Sequence, residues 1–479
     1  MYKDIVVIGA GIGGIGFAVH IKNQLKDKSF IVLEGRASHG GTWDLFRYPG
    51  IRSDSDMNTF AYSFHAWESP KYFSPGGSTI SYLQEVIDKY ELAPYLNFNH
   101  HVKSAEFSSK TNLWEIEVQH GDEVMKIQCR YVVGCTGYYD YHNAHTVDFP
   151  GQEDFDGPIV HPQFWPKDLD YVDKNVVVIG SGATAVTLVP NMVKQGAKHV
   201  TMLQRSPGYL FSMPDHDYTY TLLKYLLPKM WVFTIIRYKN AIMQNWLYRF
   251  CRYFPNLSRR ILRRLVAFRV GAKITDDCFN PRYNPWEERL CFIPDNDLLN
   301  EIRNKSVSVV TNTIKRFDNK GIELNDGKHL DADIIITATG LKLKLLGGIK
   351  YVVDGKEIHA GDCMLYKSCL LSGIPNYLHL LGYTNMSWTL KVDIGSAYLC
   401  RLVRHMDKNG YTKFEAIPRS INITENSVFA LGSSYIRRDK DAFFKQGDQG
   451  PWVTVHDYFR DKQALVDAPL QDDYLEFSK

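Results

Sequence analysis

Residues 4–14 read Asp4-Ile5-Val6-Val7-Ile8-Gly9-Ala10-Gly11-Ile12-Gly13-Gly14. A short apolar run gives way to a glycine turn, and a helix-like stretch continues to Lys26. A second apolar run, Phe30-Ile31-Val32-Leu33, ends at Glu34, twenty residues after Gly14. Gly9 permits the tight turn, Gly11 lets a pyrophosphate approach backbone N–H groups, and Gly14 allows close helix–strand packing, with Gly13 in the same loop. A carboxylate at Glu34 accepts hydrogen bonds from an adenosine ribose and repels a 2′-phosphate. The first half therefore predicts a Rossmann-like unit suited to FAD or NAD rather than NADP.

The pattern recurs. Asn175-Val176-Val177-Val178-Ile179 leads into Gly180-Ser181-Gly182-Ala183-Thr184-Ala185-Val186, a helix-like stretch, and the strand His199-Val200-Thr201-Met202-Leu203. Here Gln204 and Arg205 follow, with no acid where Glu34 stood. Arg205 lies twenty residues after Ala185, where a guanidinium pairs a 2′-phosphate bidentately. Alone, Arg205 would be a solvated cation; its position after the second strand makes it an NADP determinant.

Between the two turns, residues 155–166 read Phe155-Asp156-Gly157-Pro158-Ile159-Val160-His161-Pro162-Gln163-Phe164-Trp165-Pro166. This F-x-G-x-x-x-H-x-x-x-W-P stretch resembles the fingerprint of type I Baeyer–Villiger monooxygenases. Gly40-Gly41-Thr42-Trp43-Asp44-Leu45-Phe46-Arg47-Tyr48-Pro49-Gly50-Ile51-Arg52-Ser53-Asp54-Ser55-Asp56 resembles their ethionamide-activating branch, as does the block from Gly373 to Lys391. The resemblance implies a flavoprotein that uses NADPH and O₂ to convert ketones to esters or lactones through a peroxide at flavin C4a, and that oxidises sulfides or thioamides too. It places Thr42, Trp43, Asp44, Leu45, Arg52, Ser53 and Asp54 beside FAD, and the backbone of Val102 at the adenine. Asp54 is implied to pair with an active-site arginine, Arg289, in Pro285-Trp286-Glu287-Glu288-Arg289. That fixed cation stabilises the negative charge of the oxygenating step. Many relatives carry Lys before this arginine; here Glu288 stands there, so NADPH preference leans on Gln204 and Arg205 and NADH remains open. His161 is implied to couple domain motion to NADP binding, with Phe155, Gly157, Trp165 and Pro166 forming the hinge.

Arg130-Tyr131-Val132-Val133-Gly134-Cys135-Thr136-Gly137 and Asp333-Ile334-Ile335-Ile336-Thr337-Ala338-Thr339-Gly340 each bring an apolar strand to a Thr-Gly turn, as at domain crossings in two-dinucleotide flavoproteins. The expected fold is α/β with two Rossmann-like domains. A discontinuous FAD domain covers 1–145 and 335–479, and an NADP domain covers 146–334 with a helical subdomain at about 210–275.

The 479 residues, 44% hydrophobic and 23% charged, suit a globular protein of two or three domains. Net charge is only +3, but Tyr218 to Thr275 holds twelve Lys and Arg and no Asp or Glu. The simplest reading is a helical cap over the active site with a basic solvent face. The sharper one is peripheral attachment to an anionic membrane surface. Nucleic-acid binding lacks an accompanying motif. The eight cysteines form no C-x-x-C, no metal cluster is suggested, and the N-terminus runs straight into a strand. A cytoplasmic protein is expected. The alternatives are a flavin monooxygenase restricted to N- or S-oxygenation, which Trp165-Pro166 argues against, and a non-oxygenating FAD/NADP module. A disulfide reductase would need a cysteine pair where Gly41-Thr42-Trp43 stands.

Overall fold

In this computed structural model, residues 1–479 are described except 425–427, 430, 431, 433–437 and 439–441. Two sheets carry the architecture, and the fold is α/β. At the centre of the nine-stranded first sheet lies Tyr2–Ile8, parallel to Phe30–Leu33 on one side and Glu123–Gly134 on the other. Val6 and Val7 are fully buried because this parallel region is covered on both faces. His100–Ser108, Leu113–His120 and Glu123–Gly134 form an antiparallel meander. Lys350–Val353 and Tyr377–His379 come back from the far end of the chain to pair in parallel with its outer strands.

The second sheet is wholly parallel, in the order Val307–Thr311, His199–Gln204, Asn175–Ile179, Ile334–Thr337, Ile159–Val160. Residues 335–337, expected on the flavin side, thus belong to the second sheet, because the buried run Ile334-Ile335-Ile336 pairs residue by residue with Val176-Val177-Val178. The two connections between sheets lie side by side. Asp140 N–H donates to the Lys342 carbonyl (2.9 Å) and Lys344 N–H to the Tyr138 carbonyl (3.0 Å). Backbone bonds thus tie the outgoing segment to the returning one.

Residues 210–213, expected as the start of a helical region, form the strand Leu210–Met213, which pairs with Cys291–Pro294. These two strands frame the insertion. Its helices are Tyr218–Leu223, Lys229–Tyr253, Pro255–Val270 and Ala272–Cys278. Pro255 opens its helix at the first turn, where no N–H is needed.

Five of the twelve insertion cations pair with acids from outside the basic run: Lys229 with Glu68, Arg237 with Asp393, Lys239 with Asp217, Arg249 with Asp457 and Arg263 with Asp276. Arg237 is buried, and Nη1 donates to the carbonyls of Asn58, Thr59 and Ala61 (3.0, 3.0 and 2.5 Å). The helix Lys229–Tyr253 is therefore fastened to the first-sheet half through Arg237, beside the buried Phe233 and Ala241.

Candidate active site

Each nucleotide turn is shaped by steric necessity. Gly9 has φ +107°, and a Cβ there would lie 2.6 Å from the Cys135 carbonyl oxygen. A Cβ on Gly14 would overlap the Gly9 carbonyl oxygen. In the second turn, Gly180 has φ +146° and its Cβ would overlap the Ala338 carbonyl oxygen. Gly182 differs, since no protein atom lies within 4 Å of a Cβ built there. The helices Ile12–Gln24 and Ala183–Lys194 begin without a side-chain cap, at Gly11 and Gly182. Their first-turn N–H groups are donors without side-chain partners, the condition for holding a pyrophosphate.

Glu34 is buried, with Oε2 accepting from Ala10 N–H (2.7 Å) and Oε1 from Arg36 N–H (2.9 Å). It braces the glycine turn, and its remaining lone pairs stay available to a ribose. Gln204 points inward. Its side chain is 1% exposed and Nε2 donates to the Cys278 carbonyl (2.7 Å) and Thr311 Oγ1 (3.0 Å). Strand alternation turns it into the core, whereas its neighbour Arg205 is exposed. Ser181 Oγ donates to the Ser206 carbonyl (2.9 Å), while Ala185 and Val186 are buried in the helix–sheet contact and Ala183 and Thr184 are half-buried above them.

The loop after Glu34 folds back onto the first turn: Gly40 N–H donates to the Ala10 carbonyl (3.0 Å). Thr42–Leu45 is one helical turn, with Thr42 Oγ1 3.1 Å from the Tyr141 hydroxyl and Trp43 edge-on to Phe60. Asp44 is engaged by Arg36 (2.7 Å), Arg47 (2.5 Å) and Ser38 (2.6 Å). Tyr48-Pro49-Gly50-Ile51 closes a turn through Ile51 N–H to the Tyr48 carbonyl (3.2 Å), with Gly50 at φ +76°. Proline followed by glycine at positive φ is what that turn requires. Arg52 Nη1 bonds Asp297 (2.9 Å), and its Nη2 is buried without a partner among the described residues. Ser53 Oγ donates to the Ser55 carbonyl (2.9 Å). Val102 sits half-buried at a bulge opposite Val118.

The loop delivers Asp54 to Arg289, whose Nη2 donates to Asp54 Oδ2. Arg289 is aimed by a turn in which the Glu287 carboxylate accepts from Asn284 N–H (2.8 Å) and Nδ2 (2.9 Å). Trp286, inside that turn, is held at φ +67°, a left-handed conformation rare for a bulky residue. The pair lines a cavity of about 360 Å³. Phe211, Met213, Met243, Trp286 and Phe292 give it an apolar wall, and Thr384, Asn385 and Met386 of the C-terminal block close one side.

Several site groups carry no sequence signal. Asp56 lines the same cavity yet is fully buried, accepting bonds from Thr59 N–H (3.0 Å), Asn240 (2.8 Å) and Gln244 (2.6 Å). Burial pushes its carboxyl above the usual value against those bonds. Tyr48 is buried near Asp54 and Arg289, its phenol pushed up to about 12 by burial.

The fingerprint makes contacts of another kind. His161 Nδ1 accepts from Gln163 N–H (3.1 Å), and Nε2 lies 3.3 Å from the Gly340 carbonyl, a pattern that puts the proton on Nε2. Gln163 Nε2 donates to the Asp140 carbonyl (2.8 Å). The stretch thus touches both inter-sheet connections. Burial lowers the His161 pKa, keeping the ring neutral near pH 7. Phe155 is buried beside Val177 and Phe317, a Cβ on Gly157 would overlap the Asp333 carbonyl oxygen, and Trp165 packs on Tyr171 beside the half-exposed Pro166.

Two sheets that each carry a glycine turn, and a cavity beside an arginine–aspartate pair, suit a flavin-dependent oxygenase. Residues 6–241 match the family model described as pyridine nucleotide-disulphide oxidoreductase. The FAD-containing monooxygenase EthA of Mycobacterium tuberculosis is 43% identical over 480 residues, covering 100% of this chain and 98% of that one. The chain belongs to this family of FAD-containing monooxygenases. Among solved structures, an oxidized steroid monooxygenase bound to NADP matches with TM-score 0.73 at 21% identity over 88% of this chain and 89% of that one. Cyclohexanone monooxygenase bound to ε-caprolactone matches with TM-score 0.73 at 20% identity over 100% of both chains.

Proposed function

We propose that this monooxygenase takes reducing equivalents from NADPH and inserts one atom of O₂ beside the carbonyl of an apolar ketone. The products are an ester or lactone, NADP⁺ and water. Sulfides and thioamides are further substrates, since the same oxidant meets sulfur in the same cavity. The observation that carries the reading is the Arg289–Asp54 pair lining an apolar cavity of about 360 Å³.

FAD, when bound, supplies the activation of O₂. Gly9, Gly11, Gly13, Gly14 and Glu34 would hold its pyrophosphate and ribose, and the loop 42–54 its ring system, where Arg52 Nη2 offers an unpartnered buried donor. Gly180 to Val186 and Arg205 would hold NADPH, whose 2′-phosphate an exposed guanidinium can grip. We assign the nine-stranded sheet and its returning strands to the FAD domain, and the parallel five-stranded sheet with its helical insertion to the NADP domain.

The protein's own contribution is electrostatic. Asp54 orients Arg289, whose charge faces the negative charge that develops at the attacked carbonyl oxygen. The apolar walls exclude water and strengthen that interaction. His161 keeps a neutral ring and links the two connections, which suits coupling of domain position to nucleotide binding, not proton transfer.

The test supplies NADPH, labelled O₂ and a panel of apolar ketones and thioethers to the FAD-loaded protein. An ester carrying one O₂-derived atom is expected. NADPH oxidation that yields only hydrogen peroxide across the panel would overturn the reading.

A further inference from the structure

The helix Lys229–Tyr253 is apolar on two sides: Val232, Phe233, Ile236 and Ala241 are buried, and a second apolar stripe is left on the outside. Arg237, Asn240 and Asn245 are buried, whereas Trp231, Ile235, Tyr238, Ile242 and Trp246 stand exposed. Their steps of four, three, four and four residues make one helical stripe. Trp231 and Trp246 are 66% and 62% exposed. The next helix, Pro255–Val270, repeats the arrangement with Leu257, Ile261, Leu265 and Phe268, the last 83% exposed. The rings of Trp246, Phe250 and Phe254 follow one another at 5.2 and 5.7 Å and join the stripes across the corner between the helices. Of the 27 large hydrophobic residues exposed among those described, 18 lie between Tyr218 and Ile274, so this is one concentrated face and not ordinary scatter.

The cations of the insertion divide by pairing. Five have acidic partners, as described above, two of them (Lys229 and Arg249) with exposed side chains. Lys224, Arg252, Arg260, Arg264, Arg269 and Lys273 take part in no salt bridge among the described residues, and Arg260 and Arg264 stand exposed beside Ile261 and Leu265. No acid lies between Tyr218 and Thr275. A second copy of the chain is a poor occupant, because a two-fold contact would set these cations against themselves. An anionic lipid surface meets both demands: aromatic and aliphatic groups enter the boundary layer while cations meet headgroups. No helix among the described residues is long and apolar enough to cross a membrane.

We propose that the outer face of residues 218–268 docks the enzyme on an anionic lipid bilayer. Met243 and Trp246 belong both to this exposed face and to the wall of the Arg289 cavity. Docking therefore brings the cavity wall to the lipid, where an apolar substrate is dissolved. That consequence rests on the cavity being the active site, whereas the docking does not.

The experiment is co-sedimentation of the FAD-loaded full chain with phosphatidylglycerol–phosphatidylcholine vesicles and with phosphatidylcholine vesicles. Binding to the anionic vesicles is expected, weakened by salt. Arg260→Glu combined with Arg264→Glu should lower that binding by about tenfold or more, from the cost of removing two cations at such a surface. Leu265→Ser combined with Phe268→Ser should lower it in all salts. Both variants should keep their flavin spectrum and their NADPH oxidation rate without vesicles, as none of these side chains lines the cavity. Equal sedimentation with both vesicle types, or variants that bind like the parent, would overturn the proposal. So would a dimer that the Ser variant dissociates in a chain that ignores vesicles, since the face would then be a self-contact. Vesicle binding without oxygenated product would leave docking standing and remove only the proposed reaction.

Discussion

Two arginine–aspartate pairs join the insertion and its flanking turn to the first-sheet half, and they differ in depth. Arg237 and Asp393 are buried, with side chains 7% and 8% exposed, and Arg237 also serves three backbone carbonyls. Arg289 and Asp54 keep 33% and 26% of their side-chain surface and face a cavity. The buried pair has no room for a ligand and spends its hydrogen bonds on the chain itself. The half-open pair holds one charge in place at the wall of that cavity. Arg205 extends the series, as an exposed cation in no salt bridge among the described residues. On the proposed function, a guanidinium's depth would sort its role: structural when enclosed, catalytic when half-enclosed, ligand-gripping when open.

Breaking the buried pair should have the largest effect. Arg237→Met leaves Asp393 and three carbonyls without their partner, and a loss of about 3–5 kcal/mol in unfolding free energy is expected by denaturant titration of the holoprotein. Arg289→Ala should instead leave stability near that of the parent and lower ester formation about 10²–10³-fold, while NADPH oxidation continues. Should that variant unfold as readily as Arg237→Met, the distinction between the pairs would be gone. Arg205→Ala is expected to raise KM for NADPH about tenfold, the loss of one charge-assisted contact, with KM for NADH unchanged. An equal rise for both nucleotides would remove Arg205 from the 2′-phosphate.

The smallest effect is one of pH. Burial alone would raise the Asp393 carboxyl, but nearby His20, Arg237 and Ser63 N–H hold it below its usual value. A carboxylate depressed in the folded state adds stability that is present above its unfolded pKa, about 3.9, and is lost as pH falls through the folded value. Thermal melts through the acid range should show this loss in the parent, and a shallower dependence in Arg237→Met.

Legibility followed sequence distance. The turns at Gly9 and Gly180 could be read because a strand, a glycine loop and a helix are neighbours in the chain, and each glycine answers a local steric demand. Asp54 and Arg289 stand 235 residues apart and were joined only through resemblance; the structure puts them in hydrogen-bond contact. Asp56 carries no signal of its own, since nothing near it in sequence shows that Asn240 and Gln244 will enclose it. The inward turn of Gln204 could not be read, because the side on which a strand residue falls depends on which face of the sheet the helices cover. The strand Ile334–Thr337 runs past the expected boundary near 334, since an apolar run does not announce where its pairing ends.

From the sequence alone came the two nucleotide turns, the acid after one second strand and the arginine after the other, and a basic run without acids. These are set by backbone sterics and by charge, which need no partner. Tertiary packing decided which cations are buried and paired and which face outward, that Asp56 is enclosed, and that the insertion leaves one of its apolar stripes to solvent. Those outcomes depend on what covers each face, and the covering residues lie far away in the chain.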